Sequence, residues 1–345
     1  MTKNGNVPEM YIGIDLGGTK IAALALDPSG EELPLPVDPG GEKLTRANKT
    51  ELTLKNEENE KTGVINIKRL RVDTPDVYEE TIAAIAWLVD RIEAKTGRTG
   101  TVGVGIPGTI SKLTEQVKNA PNVKGLNGKY LKVDLRTALK REEVLIANDA
   151  NCMAVSEATD GAGEGKRVVF GVILGTGCGG GVAIDKKIHP GPNDVAGEWG
   201  HNPLPWLQVG EFPEPACKCG MRGCIEQWIS GSGVERDHEQ VTGKTKTSKE
   251  ILAGFEAGDA DAVATVRRFE DRLARSLAQM INLMDPDVIV IGGGLSNADH
   301  LYKDDLLWKK IKPYVFGREM DTPIRKAKYG DASGVRGAAW LWREG

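Results

Sequence analysis

A short apolar strand, a glycine-rich turn and a returning strand occur twice in this chain, once at the start of each half. In the first copy Tyr11 to Asp15 leads through Leu16-Gly17-Gly18-Thr19 to Lys20–Leu26. In the second, Val168 to Leu174 leads through Gly175-Thr176-Gly177-Cys178-Gly179-Gly180-Gly181 to Val182–Asp185. Apolar runs of this length bounded by glycine read as β-hairpins. Their recurrence far along the chain points to two related α/β domains that face each other across a cleft, where small ligands bind. A length of 345 residues agrees, because it exceeds what a single hydrophobic core supports.

Between and after the hairpins, strands alternate with helices. Thr74-Pro75 signals a helix start, and Val77, Ile82, Ile85, Leu88, Val89 and Ile92 follow at helical spacing up to Gly97. The strand Thr101 to Ile106 ends at Pro107-Gly108, and Val144 to Ala147 delivers Asn148-Asp149 at its carboxyl end. A second long amphipathic helix runs from about Asp261 through Val266, Phe269, Leu273, Leu277 and Met280 to the Asp285-Pro286 break. The strand Val288 to Ile291 then ends in Gly292-Gly293-Gly294. Ligands of open α/β sheets sit outside the carboxyl ends of strands, and these motifs fall there. The expected division is an N-terminal α/β domain over residues 1–147 and a C-terminal one over 148–345. A C-terminal helix at about 320–345 returns to the first domain. Residues 28–67, rich in Pro, Gly, Lys, Glu and Asn, read as an atypical surface insertion. Within it Glu51–Leu54 and Val64–Ile67 flank a polar turn as a protruding hairpin, with disorder as the alternative.

Charge and cysteine usage exclude several classes. A formal charge of −4 gives no basic field for nucleic acid. No apolar run approaches the ~20 residues of a membrane span, and Met1 to Asn6 lack a signal-peptide core, so a cytoplasmic protein is expected. Five cysteines, three of them in Cys217-Lys218-Cys219-Gly220-Met221-Arg222-Gly223-Cys224, suit a reducing compartment better than a disulfide framework.

Four constellations carry chemistry. Cys217, Cys219 and Cys224 converge from one short loop, and His201 completes a tetrahedral Cys3His zinc site within the segment 201–226. The same stretch holds Glu198 and Glu226, either pocket carboxylates or solvated surface groups. In Asp15-Leu16-Gly17-Gly18-Thr19-Lys20, glycine amides can approach phosphate oxygens, beside a hydroxyl, an ammonium and a carboxylate suited to a hydrated Mg2+. Gly175 to Gly181 is a second candidate phosphate cradle, with Gly292 to Gly294 leaving room for the nucleoside. Asp149 is the candidate general base, an Asp able to take a hydroxyl proton as the oxygen attacks phosphorus. Its competing reading is a cap on the helix that starts at Ala150.

These residues resemble the ROK family of sugar kinases and sugar-responsive repressors. The resemblance rests on Asp15–Lys20, Asn148-Asp149, Leu174–Gly177, Glu198-Trp199-Gly200-His201 and Cys217-x-Cys-Gly-x-x-Gly-Cys-x-Glu226. It covers about residues 11–27 and 68–343, including Gly103–Gly108, Asn148–Glu157 and Gly197–Trp206. Within the family the chain looks most like the bacterial fructokinases, or manno(fructo)kinases, through Asp285–Gly294 and Ser333–Trp342. The resemblance implies two ribonuclease-H-like domains flanking a cleft, as in sugar kinases and actin. It implies ATP-dependent phosphorylation of a hexose 6-hydroxyl, D-fructose first and mannose second, with ATP, Mg2+ and Zn2+. Glucokinase or N-acetylmannosamine kinase activity would use the same residues. Asp149 would be the base. Gly108, Asn122, Asn148, Asp149, Glu198, His201 and Glu226 would hold the sugar, with His201 also on the metal. Asp15, Gly17, Gly18, Thr19, Lys20, Gly175, Thr176, Gly177, Gly293 and Gly294 would face ATP. A homodimer without nucleic-acid or membrane partners is expected. The repressors carry an N-terminal helix-turn-helix, for which a strand starting at Tyr11 leaves no room. The segment 28–67 departs from the family pattern of a much shorter connection.

Overall fold

The computed structural model describes residues 8–36, 43–45, 51–53, 66–120 and 122–343. Contacts divide the chain into two units, one up to Ser156 plus Ala332 onward, the other Glu157–Asp331. The first unit thus continues past 147 through a helix that starts at Asp149.

In the first unit, strands β1 (Tyr11–Leu16), β2 (Lys20–Leu26), β3 (Leu70–Asp73), β4 (Thr101–Ile106) and β5 (Leu145–Asn148) form one sheet in the order β5-β4-β1-β2-β3. The β1–β2 hairpin is antiparallel and β1, β4 and β5 are parallel, with Asp15 opposite Gly105 and Asn148 opposite Ile106. That register brings the ends of three strands to one edge of the sheet. Helix α1 (Tyr78–Thr96) buries Ile82, Ile85, Leu88 and Ile92 in the core that contains Ile12, Ile14 and Val104, and Gly97 closes it at φ 66°. Burial of each such side chain contributes about 1.5–3 kcal/mol. α1 begins later than Thr74-Pro75 indicated: Val77 is its N-cap and makes no side-chain capping bond. Helix α2 (Leu131–Leu139) adds Leu131, Leu135 and Leu139 to the same core. Helix α3 (Asp149–Thr159) follows β5 directly.

The second unit repeats this plan. Strands β6 (Val168–Leu174), β7 (Cys178–Ile184), β8 (Lys187–Ile188), β9 (Val288–Gly292) and β10 (Ile324–Lys326) form a sheet in the order β8-β7-β6-β9-β10. Here β6–β7 is the antiparallel hairpin, and β9 and β10 run parallel to β6. The turn is shorter than expected. Strand β7 starts at Cys178, so Gly179, Gly180 and Gly181 are strand residues. Helices α4 (Glu226–Ile229), α5 (Gly231–Thr242) and α6 (Ser248–Glu256) precede the long α7 (Ala260–Met284). Asp259 caps α7 by accepting from the Ala262 N–H at 2.8 Å, and Asp285 ends it in the left-handed region at φ 44° before Pro286. Val266, Phe269, Leu273 and Leu277 join Phe170, Val172, Ile289 and Ile291 in the second core. Helix α8 (Leu306–Ile311) adds Leu307 and Ile311.

The returning C-terminal helix is shorter than 320–345. Residues 324–326 are strand β10, and only α9 (Ser333–Trp340) belongs to the first unit. Its backbone lies against β1, β4 and α3 because Gly13, Gly103 and Gly337 have no Cβ. A Cβ at Gly13 would overlap the Val335 carbonyl, at Gly103 the Ala338 carbonyl and at Gly337 the Cys152 carbonyl. In the insertion, Leu35–Pro36 pairs with Asn66–Ile67 and Lys43–Thr45 with Glu51–Thr53. This nested pairing replaces the expected hairpin of 51–54 with 64–67, of which Leu54, Val64 and Ile65 lie outside the described residues, as do Met1 to Asn6. Among the described residues, no helix is long and apolar enough to cross a membrane.

Candidate functional site

In the first unit the candidate residues gather at the carboxyl ends of β1, β4 and β5. The turn after β1 is closed by the Gly17 N–H donating to the Lys20 carbonyl at 3.0 Å, and Gly18, Thr19 and Lys20 are exposed. Thr74 holds this turn from behind. Its hydroxyl donates to the Gly17 carbonyl at 2.7 Å, and its N–H donates to the Thr19 carbonyl at 3.0 Å. Sequence reasoning took Thr74 for a helix signal and missed it as a loop anchor. A Cβ on Gly18 would overlap the Asn122 carbonyl, so the segment at Asn122 packs on the same turn.

Asn148, rather than Asp149, is the principal cap of α3. Its Oδ1 accepts from the Ala150 N–H at 2.9 Å and the Asn151 N–H at 3.4 Å, while Asp149 Oδ1 also accepts from the Ala150 N–H at 2.8 Å. The Asn148 amide nitrogen donates to the Gly108 carbonyl at 3.2 Å, tying β5 to the turn after β4, where Gly108 has a φ of +83°. Burial, together with the Asp15 and Asp149 carboxylates, pushes the Cys152 thiol on α3 well up. A carboxylate at this helix start is favoured by the positive end of the α3 dipole.

The second unit places its candidates differently. Gly175-Thr176-Gly177 follows β6 and Gly293-Gly294 follows β9; the parallel register, with Ile173 opposite Gly292, puts both loops at one sheet edge. The first loop is fixed by the Gly231 N–H donating to the Gly175 carbonyl at 2.7 Å and the Ser232 hydroxyl donating to the Thr176 carbonyl at 2.9 Å. A Cβ at Gly175 or Gly294 would meet nothing within 4 Å, so the backbone presents an open face at both positions. Such faces fit phosphate oxygens or a nucleoside.

Glu198 precedes, and His201 ends, a 3-10 turn, Trp199–His201, laid against β7. Contact is close because the strand is made of glycine. A Cβ at Gly180 would lie 2.6 Å from the Trp199 ring and 2.7 Å from the Gly197 carbonyl, and Gly197 itself has a φ of +92°. Buried Trp199 donates its indole N–H to the Gly179 carbonyl at 3.0 Å and meets Phe170 edge-on at 5.5 Å. Glu198 is exposed.

Glu226, the first residue of α4, is buried. Its Oε2 accepts from the Cys178 N–H at 3.2 Å, and its Oε1 lies 3.6 Å from the Lys218 ammonium. Gly177 leaves room for it, since a Cβ there would lie 2.7 Å from Oε2. Glu226 therefore joins the cysteine-rich loop to the Gly175–Gly177 turn.

One ligand atom each from His201, Cys217, Cys219 and Cys224 lie within 4.8 Å of one another. Cys217 Sγ is 3.7 Å from His201 Nδ1, and Cys219 Sγ is 3.6 Å from Cys224 Sγ. A tetrahedron with Zn–S bonds of about 2.3 Å and Zn–N of about 2.0 Å has edges of roughly 3.5–3.8 Å, so this donor set fits zinc. The Met221 N–H lowers the Cys219 thiol, whereas burial and the neighbouring sulfurs push Cys224 up to about 12. The loop's limbs are laced together by the Leu204 N–H donating to the Gly223 carbonyl at 2.9 Å and the Ile225 N–H donating to the Asn202 carbonyl at 2.8 Å.

A duplicated α/β plan with glycine loops at the strand ends defines the class, a mixed α/β fold of the sugar-kinase type. Comparison with known proteins makes this specific. The ROK family model matches residues 36–345. An N-acetyl-D-glucosamine kinase of Haemophilus influenzae is 38% identical over 339 residues, spanning 96% of this chain and 99% of the relative. One from Vibrio cholerae is 38% identical over 337 residues, with the same coverage. Among solved structures, a ROK hexokinase from Thermus thermophilus superposes with a TM-score of 0.75 at 28% identity, covering 96% of this chain and 97% of that one. A ROK glucokinase from Streptomyces griseus, solved with glucose and AMPPNP, gives 0.72 at 27%, covering 97% and 100%. The chain belongs to the ROK family.

Proposed function

We propose that this protein phosphorylates N-acetyl-D-glucosamine on its 6-hydroxyl at the expense of ATP. The observation that carries the sugar is the 38% identity to N-acetyl-D-glucosamine kinases over 96% of the chain. D-fructose and mannose, expected from the fructokinase-like stretches, have no such support and give way to the acetamido sugar.

Asp149 acts as general base: it takes the proton from the sugar hydroxyl as that oxygen bonds to the γ-phosphorus and the bond to ADP breaks. The position of the carboxylate at a strand end, beside the Asn148 cap, supports this role. Asn148 retains a second amide hydrogen, and Gly108 and Asn122 offer backbone and amide groups to sugar hydroxyls. Glu198, His201 and Glu226 accept or donate to further hydroxyls. The turns Gly17–Lys20 and Gly175–Gly177, with Gly293 and Gly294, bind ATP through backbone amides, and Asp15 suits a hydrated Mg2+ that offsets phosphate charge. His201, Cys217, Cys219 and Cys224 hold a structural Zn2+, which supplies a fixed cross-link. His201 Nδ1 faces the sulfurs, so metal on Nδ1 leaves Nε2 for a sugar hydroxyl and sets the tautomer.

The test is ADP release with N-acetylglucosamine, glucose, N-acetylmannosamine, mannose and fructose. Highest kcat/KM with N-acetylglucosamine is expected. A preference for fructose would restore the fructokinase reading.

A further inference from the structure

The stretch 202–216, between the metal-type His201 and Cys217, contains one 3-10 turn, Val209–Glu211, and no strand or α-helix. Helix α7 holds it through an ionic cluster. Arg275 is fully buried; its Nη1 donates to the carbonyls of Pro205 and Trp206, both at 2.9 Å, and to Glu211 Oε2 at 3.1 Å. Its Nη2 donates to Glu211 Oε1 at 2.5 Å. Arg272 donates from Nε to Glu211 Oε1 at 2.9 Å and from Nη1 to Asp237 Oδ1 at 2.7 Å. Glu211 Oε2 also accepts from the Gln208 N–H at 2.9 Å. Arg268 on Asp237 and Asp271 on Arg275 complete the cluster, so three carboxylates face three guanidinium groups. Burial alone would raise the Glu211 carboxyl, but Arg275, the Gln208 amide and Arg272 hold it below its usual value.

A second link leads toward Glu226. The Arg272 guanidinium lies 4.7 Å from the centre of the Trp228 ring, and the Trp228 indole N–H donates to the Gly223 carbonyl at 3.3 Å. Trp228 follows Glu226 on the single turn of α4.

Buried ion pairs stabilise a fold little compared with well-packed apolar groups of equal volume, but their bidentate bonds fix direction. We infer that Glu211, clamped by Arg272 and Arg275, is a positioning residue that preorganises the Cys3His cluster and, through Trp228, the Glu226 carboxylate. The inference rests on the metal and sugar roles proposed above.

Glu211→Gln keeps the shape of the side chain and removes its charge. Arg275→Lys keeps the charge and loses the planar fork. Glu270→Gln is the control, because Glu270 is equally buried on α7 but pairs with Arg267, Lys310 and His300, away from the cysteine loop. On zinc-loaded enzyme, the readouts are zinc release to a chromogenic chelator, KM for the sugar and KM for ATP. Glu211→Gln is expected to release zinc about 10-fold faster or more and to raise the sugar KM, with the ATP KM at the wild-type value. Arg275→Lys moves the same two quantities in the same direction, and decides the matter alone if Glu211→Gln fails to fold. Glu270→Gln lowers the melting temperature and leaves both quantities at wild type. Loss of melting temperature alone in both clamp variants, or equal effects from the control, overturns the clamp. Wild-type protein holding less than one zinc per chain overturns the metal role itself. Zinc-loaded protein inactive on N-acetylglucosamine overturns only the choice of sugar, and zinc release still decides the clamp.

Discussion

The two units share one topology and hold their candidate residues in opposite ways. In the first, Asp15, Gly108, Asn148 and Asp149 stand at or just beyond the ends of paired strands, and the sheet that places them is buttressed by α9 backbone to backbone. In the second, Glu198, His201 and Glu226 lie in or beside an irregular stretch between β8 and α4, where only short 3-10 turns occur. A site on regular elements inherits their rigidity. One on a long loop needs cross-links, because each fixed residue costs about 1–2 kcal/mol of backbone entropy. The ionic clamp on α7 and the glycine-lined contact with β7 are two such cross-links on that stretch, and the proposed zinc would add a third.

The proposed function puts proton transfer in the first unit, so the largest expected effect is there. Asp149→Asn should lower kcat by about 10²-fold or more while leaving zinc content and sugar binding close to wild type. Near-normal turnover would remove the base from that unit. A smaller effect is expected from glycine. Gly180→Ala forces a Cβ against Trp199 and should cost about 1–3 kcal/mol of stability and raise the sugar KM. Gly175→Ala projects into open space, so it should leave the melting temperature unchanged and raise the KM for ATP. Equal melting temperatures for the two variants would deny that the glycines of β7 serve contact with the loop.

The smallest effect concerns acid. The carboxyls of Glu211 and Glu270 are held below their usual values against the opposing pull of burial, chiefly by Arg275 and by His300 with Arg267. Their contribution to stability is present above the ordinary glutamate pKa of about 4.3 and lost as pH falls through the lower folded values. Melting temperature measured from pH 7 downward should therefore fall on the acid side of that value, and less steeply in Glu211→Gln. A parallel decline in wild type and variant would mean that Glu211 is unpaired in solution.

What the sequence revealed follows the same division. Strand ends, hairpins and the Cys-x-Cys-x4-Cys loop are local signals; they carry Asp149 as a candidate and the convergence of His201 with the three cysteines. Thr74 was misread because Thr-Pro before an apolar periodic run looks like a helix start, while its hydroxyl is engaged by Gly17 across the sheet edge. Gly179–Gly181 looked like a turn because glycine required by close packing is indistinguishable from glycine required by a turn. The ionic clamp joins Glu211 to Arg272 and Arg275 over 61 and 64 positions, a separation that leaves no periodic trace. The fructokinase-like stretches carry little information about the sugar for a physical reason. Ser333–Trp342 contains α9, packed backbone to backbone on β1 and β4, and Asp285–Gly294 is a helix cap followed by a core strand. Apart from Gly293 and Gly294, proposed above for the nucleotide, such segments report the fold rather than the sugar.

The account turns on the claim that the loop of the second unit needs its metal cross-link and the strand-end site of the first does not. Calorimetric titration of N-acetylglucosamine and of a non-hydrolysable ATP analogue into zinc-loaded and chelator-stripped protein, with folding confirmed by circular dichroism, tests it directly. Stripping is predicted to weaken the sugar by about 10-fold or more and to leave the nucleotide analogue unchanged. Full sugar affinity in folded, metal-free protein would contradict it.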